Sequence, residues 1–486
     1  MELAREPIII QGGMGVAVSA WPLAKAVAQT GQLGVVSGTA LDVVLARRLQ
    51  RGDPGGHLRR ALAEFPLPDI AQRVLDRYFV PGGTPADAPF VPLRLLDESP
   101  SQDQQELIVV ANFVEVYLAK EDHDGLVGIN YLEKIQLPTL PSLFGALIAG
   151  VDYVLMGAGI PTAIPGILDR LCEGKPVELA LRVEGAERDD RFRCCFDPDT
   201  FTGGQTPWLR RPKFLPIVAS ATLATMLTRK ASGAVDGFVV EGPTAGGHNA
   251  PPRGQPSFNN RGEPVYGERD VVDLAAMRSL GRPFWLAGSY GSPERVVDAL
   301  EAGAAGVQVG TAFAFCNESG MSESIRRAVI QGSKSGALDV CTDPVASPTG
   351  FPFKVLSLLG SLSEAAAYQL RKRRCDLGFL RQAFRKPNGG LGWRCPAEPV
   401  AAYVHKGGQQ ADTTGRKCVC NALMANVGLG QVRADGGREL PLVTSGDEVR
   451  HLAQFLRGSD ALAYSARDVV SYLLSLVGAR RTSVPC

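Results

Sequence analysis

The stretch VVEGPTAGGHNAPP (239–252) places His248, one of five histidines in 486 residues, behind Gly246 and Gly247 at the end of an apolar run. Imidazole is the side chain best matched to proton transfer near neutrality. Two glycines keep the neighbouring backbone thin enough for a flat ring to lie against it. The competing reading is a turn histidine satisfied by backbone hydrogen bonds. Two other apolar runs also end in small residues: WLAGSYGS (285–292), which opens a helix at Ser292, and VQVGTAF (307–313), which ends at Gly310 and Thr311. Glycines let a phosphate approach backbone N–H groups, and a helix N-terminus adds a favourable dipole. Either loop alone reads as ordinary turn chemistry. Together they favour a phosphate-bearing cofactor. No G-x-G-x-x-G with a following acidic residue succeeds the first strand, which counts against a Rossmann dinucleotide site.

A second candidate centre lies near the C-terminus. Cys375, Cys395, Cys418 and Cys420 occur as C-x19-C-x22-C-x-C, with loop-forming Pro, Asn and Gly between them. Four thiolates suffice to ligate a [4Fe–4S] cluster or zinc. The spacing matches no standard motif, and the alternative is buried thiols acting as small apolar side chains. The basic run RKRR (371–374) beside Cys375 reads as a solvated face, as an offset to thiolate charge, or as a dock for an acidic carrier protein.

Chemistry at 248, 288 and 310 needs elements to carry it. Short Val/Ile/Leu-rich runs ending in glycine alternate with amphipathic stretches of about a dozen residues, the βα rhythm. The runs are PIIIQGG (7–13), LGVVSG (33–38), VGINYLEKI (127–135), VDYVLMGAG (151–159), FLPIVAS (214–220), VDGFVVEG (235–242), PFWLAGSYG (283–291) and AGVQVGTAF (305–313). LIVVANFVEV (107–116) is a further apolar run ahead of the third. Eight units whose strands are apolar on both faces predict an α/β fold, a closed (β/α)8 TIM barrel over 1–335, with a doubly wound sheet as competitor. Insertions are expected at 42–106, as a helical excursion, and 175–213, as a strand or hairpin. A Pro/Gly-rich loop at 250–270 is expected to act as a lid over the mouth. Past 333 the rhythm stops, and 336–486 reads as a mainly helical, Cys-containing domain, with 363–386 helical and two amphipathic helices closing the chain.

PIIIQGGMG, EGPTAGGHNA and AGSYGSPERVVDALEAGAAGVQVGTAF, in this order, resemble the nitronate monooxygenase (2-nitropropane dioxygenase-like) family, which includes FMN-dependent enoyl-acyl-carrier-protein reductases. The resemblance covers 7–40 and 127–316. It implies an FMN-binding TIM barrel, with Gly13, Met14, Gly15 and Asn130 facing the flavin and Gly246 and Gly247 bordering it. Gly288, Ser289, Gly291, Gly310 and Thr311 would hold its phosphate, and His248 falls on the family's catalytic histidine. Two departures stand out: Thr244 replaces the acidic residue usual before Ala-Gly-Gly-His, and Ala250 replaces a common glycine.

The resemblance implies an FMN-dependent oxidoreductase, a monooxygenase in which His248 takes an acidic C–H proton. The alternatives are NAD(P)H-dependent reduction of an enoyl thioester, with an acyl carrier protein as partner, and a barrel that only binds a phosphate ligand or a protein. Bulk properties narrow this further. With 51 basic and 50 acidic residues, formal charge +1, there is no electrostatic case for a nucleic-acid partner. The start MELAREPIII lacks a signal-peptide layout and no apolar run reaches the length of a membrane span, so a soluble, cytoplasmic protein with reduced cysteines is expected. Substrate and oligomeric state are not encoded in any readable pattern.

Overall fold

The computed structural model describes residues 6–477. The first half of MELAREPIII and the terminal Cys486 lie outside the described residues. Eight parallel strands form one sheet: β1 (Ile9–Gln11), β2 (Gly34–Ser37), β3 (Val127–Leu132), β4 (Tyr153–Gly157), β5 (Lys213–Val218), β6 (Phe238–Glu241), β7 (Phe284–Ala287) and β8 (Gly306–Val309). From β2 to β8 each strand pairs with the next, and β8 pairs back onto β1 with Ile9 opposite Val307. The ring closes between β1 and β2. There Ile10 bridges Leu33, Gln11 N–H donates to the Leu33 carbonyl at 3.0 Å, and Leu33 N–H donates to the Ile9 carbonyl at 3.1 Å. The closed barrel therefore holds over the doubly wound alternative.

Inside the barrel, Ile10, Leu33, Val35, Leu155, Leu215, Val239 and Trp285 form a dry inner core, as the inward layers of such a barrel must. Trp285 is fully buried yet satisfied, because its indole N–H donates to the Pro7 carbonyl at 2.7 Å. Outside, the helices cover the ring. Gly34 marks how tightly they sit: a Cβ there would lie 1.9 Å from the Ala24 carbonyl oxygen.

The excursion after β2 is helical, over Leu41–Gln50, His57–Ala63 and Pro68–Tyr78. The apolar run at 107–116 is neither strand nor loop but the middle of a 19-residue helix, Gln102–Lys120. Its start is a capping box, Ser101 with Gln104. It is buried nearly all round between its neighbours, so it carries no polar stripe. The second insertion contains the expected hairpin, Val177–Ala180 against Arg193–Phe196.

The C-terminal third departs most from expectation. In 363–386 only Ala365–Leu370 is helical; Gln382–Arg385 pairs with Leu391–Arg394 as a hairpin that also joins Val183–Glu184. The helix stops at Leu370, and Arg371 is already extended (φ −69°, ψ 119°), well before Gln382. A second hairpin, β9 (Val340–Asp343) and β10 (Phe353–Leu356), follows the barrel directly. The closing elements are a 3-10 helix, Asp447–Phe455, and an α-helix, Ala466–Leu473. Their buried Val449, Leu452, Phe455, Val469 and Leu473 belong to the barrel's own outer core. With Val400–His405, Gln410–Thr413 and Val419–Asn426 also helical, the third is mainly helical with two hairpins added, and it packs into the barrel.

Candidate active site

The carboxyl ends of the eight strands open into one cavity. Of the residues expected there, Gly13, Met14, Gly15, Asn130, Gly246, Gly247, His248, Gly288, Ser289, Gly310 and Thr311 all line it. Gly291 does not line it. Its N–H is spent on the carboxylate of Glu448, at 2.9 Å.

The β1 loop is held by Ser19, whose hydroxyl accepts from Met14 N–H at 3.0 Å and donates to the Gly12 carbonyl at 2.9 Å. Asn130, on β3, donates to the Gly13 carbonyl at 3.2 Å. A Cβ on Gly13 would collide with the Asn130 side chain at 2.4 Å, so this contact requires glycine. On the β7 loop, Gly288 (φ +92°) and Ser289 (φ +59°) take left-handed backbone in succession. That conformation is strained for serine and turns the loop sharply above β7.

His248 is locked rather than free. Its Nε2 lies 2.6 Å from Ser347 Oγ. Ser347 is fully buried, contacts Thr349 Oγ1 at 2.9 Å, and has its carbonyl bonded by Arg416 at 2.6 Å. The His248 loop bridges to β10: Lys354 N–H donates to the Gly247 carbonyl and Asn249 N–H to the Pro352 carbonyl, both at 2.9 Å. Phe353 meets the imidazole edge-on, centroids 4.8 Å apart. Burial, aided by the Lys134 ammonium, holds the imidazole down at about 4. It is therefore neutral at physiological pH.

Glu241, at the end of β6, lines the same cavity, and burial alone pushes its carboxyl up to about 8. From the sequence, Glu241 at the strand end reads either as structural or as a residue that orients a flavin edge. Ser347, Ser445 and Glu448 lie in the C-terminal third and had no local signal.

Four buried polar atoms of cavity-lining residues, Asn130 Oδ1, Gln308 Oε1, Asn426 Oδ1 and Ser445 Oγ, have no hydrogen-bond partner among the described residues. Buried polar groups are normally paired. Orphans in a glycine-edged cavity with apolar Val16, Val18 and Ile217 in its wall fit a flat heterocycle with a polar edge and a phosphate tail.

The four C-terminal cysteines do come together. Cys395 and Cys418 form a small buried cluster with Cys375 and Cys420 packed on it, and Cys420 also lines the main cavity. Burial pushes the Cys418 and Cys420 thiols up, whereas a hydrogen bond from Cys395 holds Cys375 down. Among the described residues, however, no group of three or more His, Cys, Asp or Glu is arranged to hold a metal ion. The zinc or [4Fe–4S] expectation is not supported: the thiols pack as core side chains among Ala397, Val419 and Leu380. The RKRR run is not a free basic patch either. Arg371 pairs with Glu439 at 2.8 Å, Arg373 bonds the Thr413 carbonyl at 2.7 Å, and Lys372 and Arg374 both face Asp435. No residue of the 250–270 loop lines the cavity. That loop instead docks outward, through Arg261 on Asp339 at 2.7 Å and Glu263 on Thr342 N–H at 2.9 Å. Among the described residues no helix is long and apolar enough to cross a membrane.

A closed (β/α)8 barrel with its cavity at the carboxyl ends of the strands defines the class. Residues 211–348, from just before β5 to just past β9, match the family model described as nitronate monooxygenase. Over that segment the chain is similar to the family. No curated protein matches the chain. Among solved structures it is similar to FabK from Thermotoga maritima, at 16% identity and TM-score 0.48, covering 99% of this chain and 97% of that one. It is also similar to a nitroalkane oxidase from Streptomyces ansochromogenes, at 16% identity and TM-score 0.45, covering 99% and 98%. A third is the enoyl reductase domain of MlnA from Bacillus amyloliquefaciens, at 10% identity and TM-score 0.48, covering 99% and 97%.

Proposed function

We propose that the cavity binds FMN and that the chain oxidises a small substrate bearing an acidic C–H, with His248 as the base. The observation that carries this is the neutral, locked imidazole in a glycine-edged cavity. Gly13, Met14, Gly15, Asn130, Gly246 and Gly247 would border the isoalloxazine, and Gly288, Ser289, Gly310 and Thr311 would lie at the phosphate. FMN, when bound, supplies the two-electron redox chemistry.

The chain's residues do the rest. Apolar walls from Val16, Val18 and Ile217 exclude water from the reacting face. Ser347 and Phe353 fix the ring of His248, so that its orientation is set before substrate arrives. The neutral imidazole accepts the proton α to an electron-withdrawing group, leaving a carbanion-like substrate to be oxidised. A base held at about 4 suits only a substrate whose C–H is already acidic, as next to a nitro group.

A second reading is favoured by one specific observation. Glu241, pushed up to about 8, holds its proton at neutral pH and can give one to a substrate carbon or oxygen. That suits NAD(P)H-dependent reduction of an enoyl thioester, delivered by an acyl carrier protein.

Purified protein is mixed with FMN and examined for a bound flavin spectrum, then treated anaerobically with a nitroalkane or with NAD(P)H. The first reading expects the nitroalkane to bleach the flavin and NAD(P)H to act slowly. Rapid bleaching by NAD(P)H alone selects the reductase, and failure to take up flavin removes both.

A further inference from the structure

One short segment of the C-terminal third, Thr444–Glu448, touches the loops after β6, β7 and β8. Thr444 Oγ1 accepts from Gly247 N–H at 2.9 Å, on the loop after β6. Glu448 accepts from Gly291 N–H at 2.9 Å, on the loop after β7. Gly446 N–H donates to Thr311 Oγ1 at 2.8 Å, on the loop after β8. The contact is close: a Cβ on Gly246 would sit 2.7 Å from the Gly446 nitrogen. On either side the segment is anchored by buried Val443, whose carbonyl accepts from Leu356 N–H at 2.9 Å, and by buried Val449 and Leu452. It is a fixed strap across the barrel mouth.

At the centre of the strap stands Ser445. The residue is only 3% exposed, it lines the cavity with Thr311 and Gly446, and its hydroxyl has no partner among the described residues. A hydroxyl there can donate once and accept twice, and burying it unpaired is costly. Thr311 spends a lone pair on Gly446 N–H and keeps its own O–H to donate. The Gly291 N–H that the barrel pattern offers to a phosphate is already taken by Glu448.

We infer that the strap completes the cofactor's phosphate subsite, with the Ser445 hydroxyl donating to the phosphate in the place given up by Gly291. Glu448 sets the limit of that subsite: its carboxylate occupies the Gly291 corner and confines the phosphate to the Ser289, Thr311 and Ser445 side. The inference rests on the FMN reading and adds a ligand from outside the barrel.

Flavin fluorescence quenching tests it, with FMN and riboflavin titrated separately into the wild-type chain and S445A. Riboflavin keeps the ring and lacks the phosphate. A hydrogen bond to a charged group predicts roughly 10- to 100-fold weaker FMN binding in S445A, with riboflavin affinity unchanged. T311V, a second change at the same corner, is expected to lose FMN in the same selective way. Equal FMN affinity in S445A and wild type, or equal weakening of both ligands, overturns the inference. Wild-type protein that binds neither flavin overturns the FMN reading itself, which is a distinct result.

Discussion

The cavity has two walls with different origins. One is the barrel wall: glycine loops after β1, β6, β7 and β8, each following its strand by a few residues. The other is the C-terminal wall, Phe353, Cys420 and the Thr444–Glu448 strap, with Ser347 behind His248; its contacts with the barrel loops arrive from 99 to 197 residues away in sequence. The barrel wall is thin, made of backbone and small side chains, and suited to receive a flat ring. The C-terminal wall supplies the side chains that orient and complete. It holds the His248 ring, spends the Gly291 amide and brings an unpaired hydroxyl to the cavity. On the FMN reading, barrel geometry sets where the cofactor would lie, while the added third would decide how tightly His248 and the phosphate are held.

The division can be broken most sharply at His248. H248A is expected to keep bound flavin yet lose about 10²- to 10⁴-fold in turnover, the usual worth of a positioned base; steady-state rates beside the visible spectrum measure both. Full activity in H248A refutes the base assignment. Next comes the seam between the walls. G246V places a side chain against the Gly446 backbone and is expected to cost about 1–3 kcal/mol of stability, together with flavin retention, in denaturant unfolding.

S347A releases the imidazole without touching the barrel wall. About a fivefold drop in turnover with unchanged flavin affinity is expected, the worth of about 1 kcal/mol of positioning. The pH profile separates the two functional readings. If neutral His248 is the base, turnover is level around neutrality and falls as pH drops through about 4, where the ring gains its proton. If protonated Glu241 is the donor, turnover falls as pH rises through about 8. The smallest effect is expected at the RKRR run. K372A, at an exposed pair with Asp435, should change stability by less than about 0.5 kcal/mol in a thermal melt.

Much of the barrel wall was legible in the sequence, for a local reason. A parallel strand buried on both faces must be apolar, and a turn that lets backbone approach a ligand must be small. Both demands act between near neighbours in the chain, so the eight strands and the loops at 246, 288 and 310 are readable. Where two local signals compete, the reading fails. Residues 107–116 are as apolar as a strand, but they are a helix packed on all sides. Residues 363–386 carry a helical pattern, but the helix stops at Leu370 and the hairpin at Gln382–Arg394 takes over. The four cysteines share the neighbourhood their sequence positions suggested, but a shared neighbourhood is not a metal-ion geometry.

By itself, the sequence determined the periodic elements, the glycine loops and the single histidine placed among them, because each follows from chemistry between residues close in the chain. Only the tertiary structure decided that Ser347 grips His248, that Glu448 takes the Gly291 amide and that Ser445 faces the cavity unpaired. Serines and glutamates are common in loops and carry no periodicity. Their roles arise when contacts 99 and 157 residues apart close at the barrel mouth.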